Sequence, residues 1–270
     1  MRLSHVTAAL EEFYPPSWAE SWDAVGLVCG DPAAEIRRVL FAVDPVTAVV
    51  DEALEWGADL IVTHHPLLLR PVTSVAATTP KGRTIHRLIS AGVALYTAHT
   101  NADVADPGVS DALARAVGLT GALRPMVPHA DDPARGLGRI GELAEPLTLR
   151  DFTARAAAGL PATAWGVRAS GDPGRPVRTV AVCGGAGDSL LDTARAAGVD
   201  VYLTADLRHH PASEFAEHGG PALVDAAHWA TEWPWLADAE RRLTGAAATL
   251  ETRVSTHVTD AWRLHDEGAK

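Results

Sequence analysis

Apolar positions along the chain follow two periods in alternation. Val6 to Phe13 carries the helical spacing and ends at Tyr14-Pro15-Pro16. Trp22 to Gly30 reads as an apolar strand bracketed by glycines, and Val39 to Val43 as a second strand. Asp44-Pro45 then opens a helix through Val46, Val49, Val50, Ala53 and Leu54, which Gly57 terminates. Leu60-Ile61-Val62 comes next, a short, partly β-branched run between turn formers, as expected of a buried strand. Strand, helix, strand in that order predicts a parallel pair with a right-handed crossover. A helix over Lys81 to Ala91, with Ile85, Leu88 and Ile89 on one face, leads to a strand over Val93 to Tyr96 and a helix over Val109 to Val117.

The remainder repeats this rhythm. Leu123 to Asp132 reads as a proline-bearing crossing segment, Gly136 to Leu143 as a strand, and a helix begins near Leu149. Ser170 to Pro176 is a polar turn. Strands over Val177 to Val182, Val199 to Leu203 and Leu223 to Ala226 alternate with helices over Ser189 to Ala197 and Ser213 to His218. A helix from about Thr231 runs to Arg242, and Thr252 to Val258 is extended and rejoins a sheet. No short tandem repeat is visible, but both halves share the βαβ style. The expected fold is therefore α/β, with two similar, interlinked lobes carrying mixed or parallel sheets. The first covers residues 1–123, rejoined by 236–270, and the second covers 124–235.

Composition narrows the class. With 47% hydrophobic and 21% charged residues the chain is ordinarily globular. A net charge of -11 argues against a protein that coats nucleic acid or an anionic membrane. No apolar run is long enough to span a bilayer, and Met1 to Val6 lacks the apolar core of a signal peptide. Cys29 and Cys183 sit in unrelated contexts and set up no disulfide framework, so a reducing, cytoplasmic location is expected. Lysine occurs only at Lys81 and Lys270 against many arginines, a compositional bias that takes weight from any single arginine.

Three strand tips carry chemistry. Thr63-His64-His65-Pro66 ends the Leu60 strand, and Pro66 holds His65 extended. Alternation along an extended chain puts the two imidazoles on opposite sides, suited to two ions, or to an ion and a substrate, rather than to one shared ion. The strand ending at Tyr96 delivers His99 and Asp103, and the one ending at Ala226 delivers His228 and Glu232. The open ends of parallel strands are where α/β proteins keep their sites. Imidazole with carboxylate suits zinc, iron, manganese or nickel. A helix through both His228 and Glu232 would enclose Pro234, so the helix is expected to start near Thr231, with His228 on the preceding loop. Glu232 would then stand at a helix N-terminus, placed to bridge two cations about 3.5–4 Å apart. Each tip has a bland reading: loop imidazoles in water, a capping role for Asp103, a merely orienting His99. His99 is also placed to transfer a proton. Convergence of three tips on one sheet edge is what favours a metal site.

Other features are weaker. Gly184-Gly185-Ala186-Gly187 lacks the spacing of a nucleotide-binding loop and suits a tight turn approaching the pocket. His209-His210 reads as a loop pair facing solvent, with pocket lining as the alternative. Trp229, Trp233 and Trp235 suit core packing or a subunit interface, or stacking of a flat substrate.

Together these residues resemble the Nif-three-like family of dinuclear metal-centre proteins, whose members are called GTP cyclohydrolase I type 2 homologues. Trp22-Asp23-Ala24-Val25-Gly26-Leu27 is similar to the family's WDNVGL opening, Val62 to Leu67 to its VTHHPL core, and His99 to Asp103 to its HTNLD segment. Gly138 to Leu143 matches its GRIGEL strand, and Ala226 to Glu232 its GHYATE-like closing motif. The resemblance spans nearly the whole chain in the short form, without the extra middle domain of some members. It implies that His64, His65, Asp103, His228 and Glu232 hold two divalent ions between the lobes, with Glu232 bridging, and that the chain forms a toroidal homohexamer. Ala24, Ala102, Pro107 and Ala205 depart from the pattern without removing a ligand.

The expected function is a metal-dependent hydrolase with His99 as proton-transfer partner. GTP cyclohydrolase, phosphoesterase and amidohydrolase chemistry would all use the same ions. A nucleotide substrate would draw on Arg70, Arg83 and Arg208, since no dense basic cluster is visible. The alternative is a non-catalytic metal-binding scaffold, a metal chaperone or an interaction protein.

Overall fold

Leu40, Phe41, Leu60, Ile61 and Leu95 are fully buried because the strands that carry them lie in the middle of a sheet. In the computed structural model, which describes residues 1–266, this sheet anchors the first of two units. The chain enters it as α1 (Leu3–Phe13), β1 (Gly26–Cys29), β2 (Arg38–Ala42), α2 (Thr47–Trp56), β3 (Leu60–Thr63), α3 (Pro80–Ala91), β4 (Ala94–Thr97) and the single turn α4 (Thr100–Asp103). β2, β3 and β4 are parallel in the expected manner, and β1 runs antiparallel to β4 with Gly26 opposite Thr97. The N-terminal end of β1 therefore lies at the same edge as the C-terminal ends of its neighbours. The strand expected from Trp22 begins only at Gly26, because Glu20 to Asp23 closes a turn through Asp23 N–H to Glu20 O at 2.9 Å.

The second unit runs through α5 (Val109–Ala116), β5 (Val127–Pro128), β6 (Gly136–Leu137), β7 (Arg139–Thr148), α6 (Leu149–Gly159), β8 (Val167–Ser170), β9 (Pro176–Ala186), α7 (Leu191–Ala196), β10 (Val201–Ala205), α8 (His209–Glu217), β11 (Ala222–Ala226) and α9 (His228–Ala246). Its sheet has the order β7-β9-β10-β11-β8, with a parallel centre and antiparallel edges. From Leu236 the chain belongs to the first unit again, and β12 (Glu251–Val254) pairs parallel with β2, completing the order β1-β4-β3-β2-β12.

Three further boundaries correct the sequence reading. α8 starts at His209, not Ser213, because Pro211 fits the first turn of a helix, where no N–H is needed. β9 extends through Gly184 and Gly185, so the glycine run is the end of a strand rather than a separate loop. α9 begins at His228 and encloses Pro234. The proline penalty, roughly 3 kcal/mol, is local, and burial of Trp229, Ala230, Thr231, Trp235 and Leu236 along the same helix outweighs it.

The two sheets share a device. Asp59, just before β3, accepts from the N–H groups of Arg37 and Arg38 at 2.8 and 2.9 Å. Asp200, just before β10, accepts from those of Arg178 and Thr179 at 2.9 and 2.8 Å. Each aspartate fixes the register of one parallel strand against the preceding one, and with it the position of the strand tip.

Candidate metal centre

Four histidines stand at strand tips with one ring nitrogen already engaged. His64 is fully buried, and its Nδ1 lies 2.9 Å from the Ala98 carbonyl, which can only accept. His65 Nδ1 lies 2.7 Å from Asp44 Oδ1, and the other oxygen of Asp44 accepts from the Thr259 hydroxyl. His99 Nδ1 lies 2.9 Å from Asp23 Oδ1. His228 Nδ1 lies 2.7 Å from Asp206 Oδ2. An acceptor on Nδ1 holds the proton there and turns Nε2 outward, the arrangement that metal-ligating histidines share.

In the first unit, ring nitrogens of His64, His65 and His99 all come within 4.8 Å of one another. The His64 and His65 ring centroids are 5.2 Å apart, so alternation does not place them on opposite sides as expected. The reason is local: β3 stops at Thr63, and both histidines lie past the pleat, pinned by His64 N–H to Ala42 O at 3.2 Å and His65 N–H to Val43 O at 2.8 Å. His99 caps α4, and Asp103 closes that turn with Oδ1 3.7 Å from His64 Nε2. Buried Asn101 fixes the turn: its oxygen accepts from His99 N–H at 2.8 Å and its amide donates to Tyr14 O at 2.7 Å. Burial pushes the Asp23 carboxyl up, but hydrogen bonds from His99 and Thr100 more than offset this and hold it well below the usual carboxylate range.

In the second unit, His228 and Glu232 are one helical turn apart on α9, with Nε2 and Oε1 separated by 3.0 Å. That separation needs the helix to pass through both residues, which the loop expected for His228 would not supply. Glu232 is 3% exposed. Its carboxylate raises His228 to about 11 against opposing burial, and Asp206 adds to the rise. Gly185 makes room for the pair: a Cβ there would stand 2.5 Å from Glu232 Oε1 and 3.1 Å from His228 Nε2. Its N–H donates to Thr231 Oγ1 at 2.9 Å, tying the end of β9 to α9.

The donor sets fit divalent cations. Imidazole Nε2 atoms beside carboxylates, each imidazole oriented from behind, match borderline or hard ions. The His228 proton and a cation would compete for the same two donor atoms. Sequence reasoning missed the orienting acids Asp23, Asp44 and Asp206. Asp44 and Asp206 lie just past β2 and β10, each at the end of its own sheet that carries histidines, which was a usable signal. Asp23 becomes visible only once β1 is known to run antiparallel. His209 and His210 are exposed in the first turn of α8. Arg208 pairs with Asp188 at 2.6 Å, Arg83 donates to Ala77 O at 3.1 Å, and Arg70 is exposed. Trp229 and Trp235 are buried, as core packing requires.

Comparison with known proteins agrees with these motifs. The family model for Duf34/NIF3 (NGG1p interacting factor 3) matches residues 1–261. A protein from Streptomyces coelicolor named "GTP cyclohydrolase 1 type 2 homolog" is 59% identical, covering 98% of this chain and 94% of its own length. A relative of the same name from Mycobacterium bovis is 41% identical, covering 99% of this chain and 98% of its own length over 373 aligned positions, so it carries an insertion relative to these 270 residues. The crystal structure of a Bacillus cereus protein related to NIF3 superposes with a TM-score of 0.89 at 24% identity, over 97% of this chain and 98% of that one, which shows the fold.

Proposed function

The chain belongs to the Duf34/NIF3 family, and on that premise we propose that it is a metal-dependent hydrolase in which His64, His65, Asp103, His228 and Glu232 hold two divalent ions. The observation that carries the reading is the engagement of Nδ1 on all four histidines, three by carboxylates and one by a carbonyl. Surface imidazoles have no need of such partners, whereas ligands do. Ions held there would supply Lewis acidity and a nucleophile at neutral pH. His64 and His65 present Nε2 from the tip of β3, and Asp103 and Glu232 supply anionic charge. His99, backed by Asp23, is oriented to pass a proton to or from the reacting group. Under this reading the chain assembles into a toroidal hexamer, which mass measurement in solution tests.

The decisive experiment counts metal and turnover together. Two ions per chain after loading with zinc or manganese, lost in Glu232→Ala, support the centre; fewer than two at saturation reject it. GTP is the first substrate to assay, because the relatives bear that name. Full metal occupancy with no turnover above Glu232→Ala on GTP, phosphoesters or amides would leave a metal-binding scaffold as the function.

A further inference from the structure

We propose that Trp22 is a stacking platform for a planar heteroaromatic group of the substrate, placed beside His99. The inference rests on the proposed hydrolase function for the presence of a substrate at this site. Trp22 is 57% exposed, and a single exposed indole needs no explanation by itself. Its mounting is what sets it apart. Trp22 lies in the Glu20–Asp23 turn, and both ends of that turn are tied to the first residue of α4. Glu20 N–H donates to Thr100 Oγ1 at 2.9 Å, while Asp23 Oδ2 accepts from Thr100 N–H at 3.0 Å. The other oxygen of Asp23 holds His99. The residue that orients His99 therefore also positions the indole.

The indole and the His99 imidazole meet edge-on, at 6.0 Å between centroids and 80° between planes. An edge-on contact uses at most one face of the indole, and the exposure shows that indole surface is open to solvent. A ring laid on it would lie beside His99, whose ring nitrogen is grouped with those of His64 and His65. Because the turn is already fixed, little conformational entropy is lost when a ligand stacks. The charged residues of the turn, Glu20 and Asp23, are acidic, so the turn itself offers no cation to a phosphate, and what it presents is the ring surface of Trp22. Of the tryptophans just after His228, Trp229 and Trp235 are poorer candidates, being 4% and 1% exposed.

The test uses protein loaded with zinc, with metal content measured on every sample. Guanosine, cytidine and nicotinamide are titrated as planar probes against ribose as a ring-free control, reading tryptophan emission and calorimetric affinity. Binding of at least one planar probe and not of ribose is expected. Trp22→Ala should weaken that binding roughly 10-fold to 100-fold, while Trp22→Phe retains most of it. Unchanged metal content in both variants would separate this loss from failure of the centre. Absence of binding by every planar probe, or equal affinity in Trp22→Ala, would overturn the assignment. So would a change of oligomeric mass in Trp22→Ala with probe affinity unaltered, because the indole would then serve a subunit contact.

Discussion

Gly185→Ala separates backbone strain from disruption of the candidate centre, because a matched control exists in the same unit. Gly185 has φ +68 and Gly198 has φ +67, so alanine at either position pays the same left-handed penalty, roughly 1–2 kcal/mol. For a chain of this size that lowers Tm by about 2–4 °C per kcal/mol. The surroundings differ. A Cβ at Gly198 meets nothing within 4 Å, whereas one at Gly185 stands 2.5 Å from Glu232 Oε1. Ordinary contact begins at 3.4 Å, so the carboxylate has to retreat by nearly an ångström. Glu232 is 3% exposed and has little space to do so. Metal–ligand distances tolerate about 0.2 Å. Both variants should therefore unfold a few degrees early, and only Gly185→Ala should lose zinc affinity, by roughly 10-fold to 100-fold. Thermal unfolding of the metal-free proteins and equilibrium dialysis with zinc read the two effects separately. Equal zinc affinity in the two variants would show that the end of β9 does not shape the site.

Further outcomes rest on single contacts. Asp44→Asn and Asp206→Asn should each weaken ion binding about 10-fold to 100-fold with the circular dichroism spectrum unchanged, and unaltered dialysis curves would remove these residues from the positioning role. His228 is raised to about 11 in the folded chain, so its pairing with Glu232 stabilises the metal-free protein fully below the usual histidine value of 6.5 and fades as pH rises through about 11. Metal binding at pH 8 should accordingly release a proton, measured by calorimetry in buffers of different ionisation enthalpy, and a binding heat that does not vary with the buffer would contradict this. Arg139 is 1% exposed and pairs with Asp111 at 2.8 Å, so Arg139→Ala should cost about 3–5 kcal/mol in urea unfolding, and a loss below 1 kcal/mol would contradict the buried-pair reasoning. Burial pushes Asp200 up, but the N–H groups of Thr179 and Arg178 and the Thr179 hydroxyl outweigh it and depress its pKa. The stability it supplies is present above the ordinary value of 3.8 and is lost as pH falls through the lower folded value. Asp200→Asn should flatten that part of the acid-unfolding curve, and an unchanged profile would argue against its role in fixing the strand register.

The parallel strands and their helices were legible because burial on both faces leaves continuous apolar runs, and Gly57 and Gly92 end helices in left-handed turns that glycine favours. The donors at the strand tips were legible for the same reason, since a strand with a clear end locates the residues just beyond it. The features that escaped depended on tertiary context. β8 is exposed along most of its length and carries little apolar signal, so only its pairing with β11 makes it a strand. The helix through Pro234 runs against local propensity and exists because its flanks are buried. The orienting acids are invisible to spacing: Asp23 and His99 are 76 positions apart, and nothing in either segment names the other.

The internal similarity of the sheets accounts for where the chemistry sits. Asp59 O accepts from Ala94 N–H and Asp200 O from Ala222 N–H, both at 2.9 Å, and the strands beginning after each aspartate run in the same parallel register, Leu60 to Ala94 and Val201 to Ala222. Counting onward from the aspartates, Thr63-His64-His65 corresponds to Thr204-Ala205-Asp206. After β4 and β11 each unit then places a histidine and an acid four residues apart at the start of a helix, His99 capping α4 ahead of Asp103 and His228 opening α9 ahead of Glu232. One scaffold thus offers the same two positions twice, and side chains have diverged upon it. The tip of β3 presents imidazoles directly. The tip of β10 presents only Asp206, held at φ 56, whose carboxylate acts through His228. The first unit therefore brings three imidazoles and the second a single histidine beside a buried glutamate. A histidine in the second unit thus gains its orientation from the aspartate that the shared scaffold places behind it.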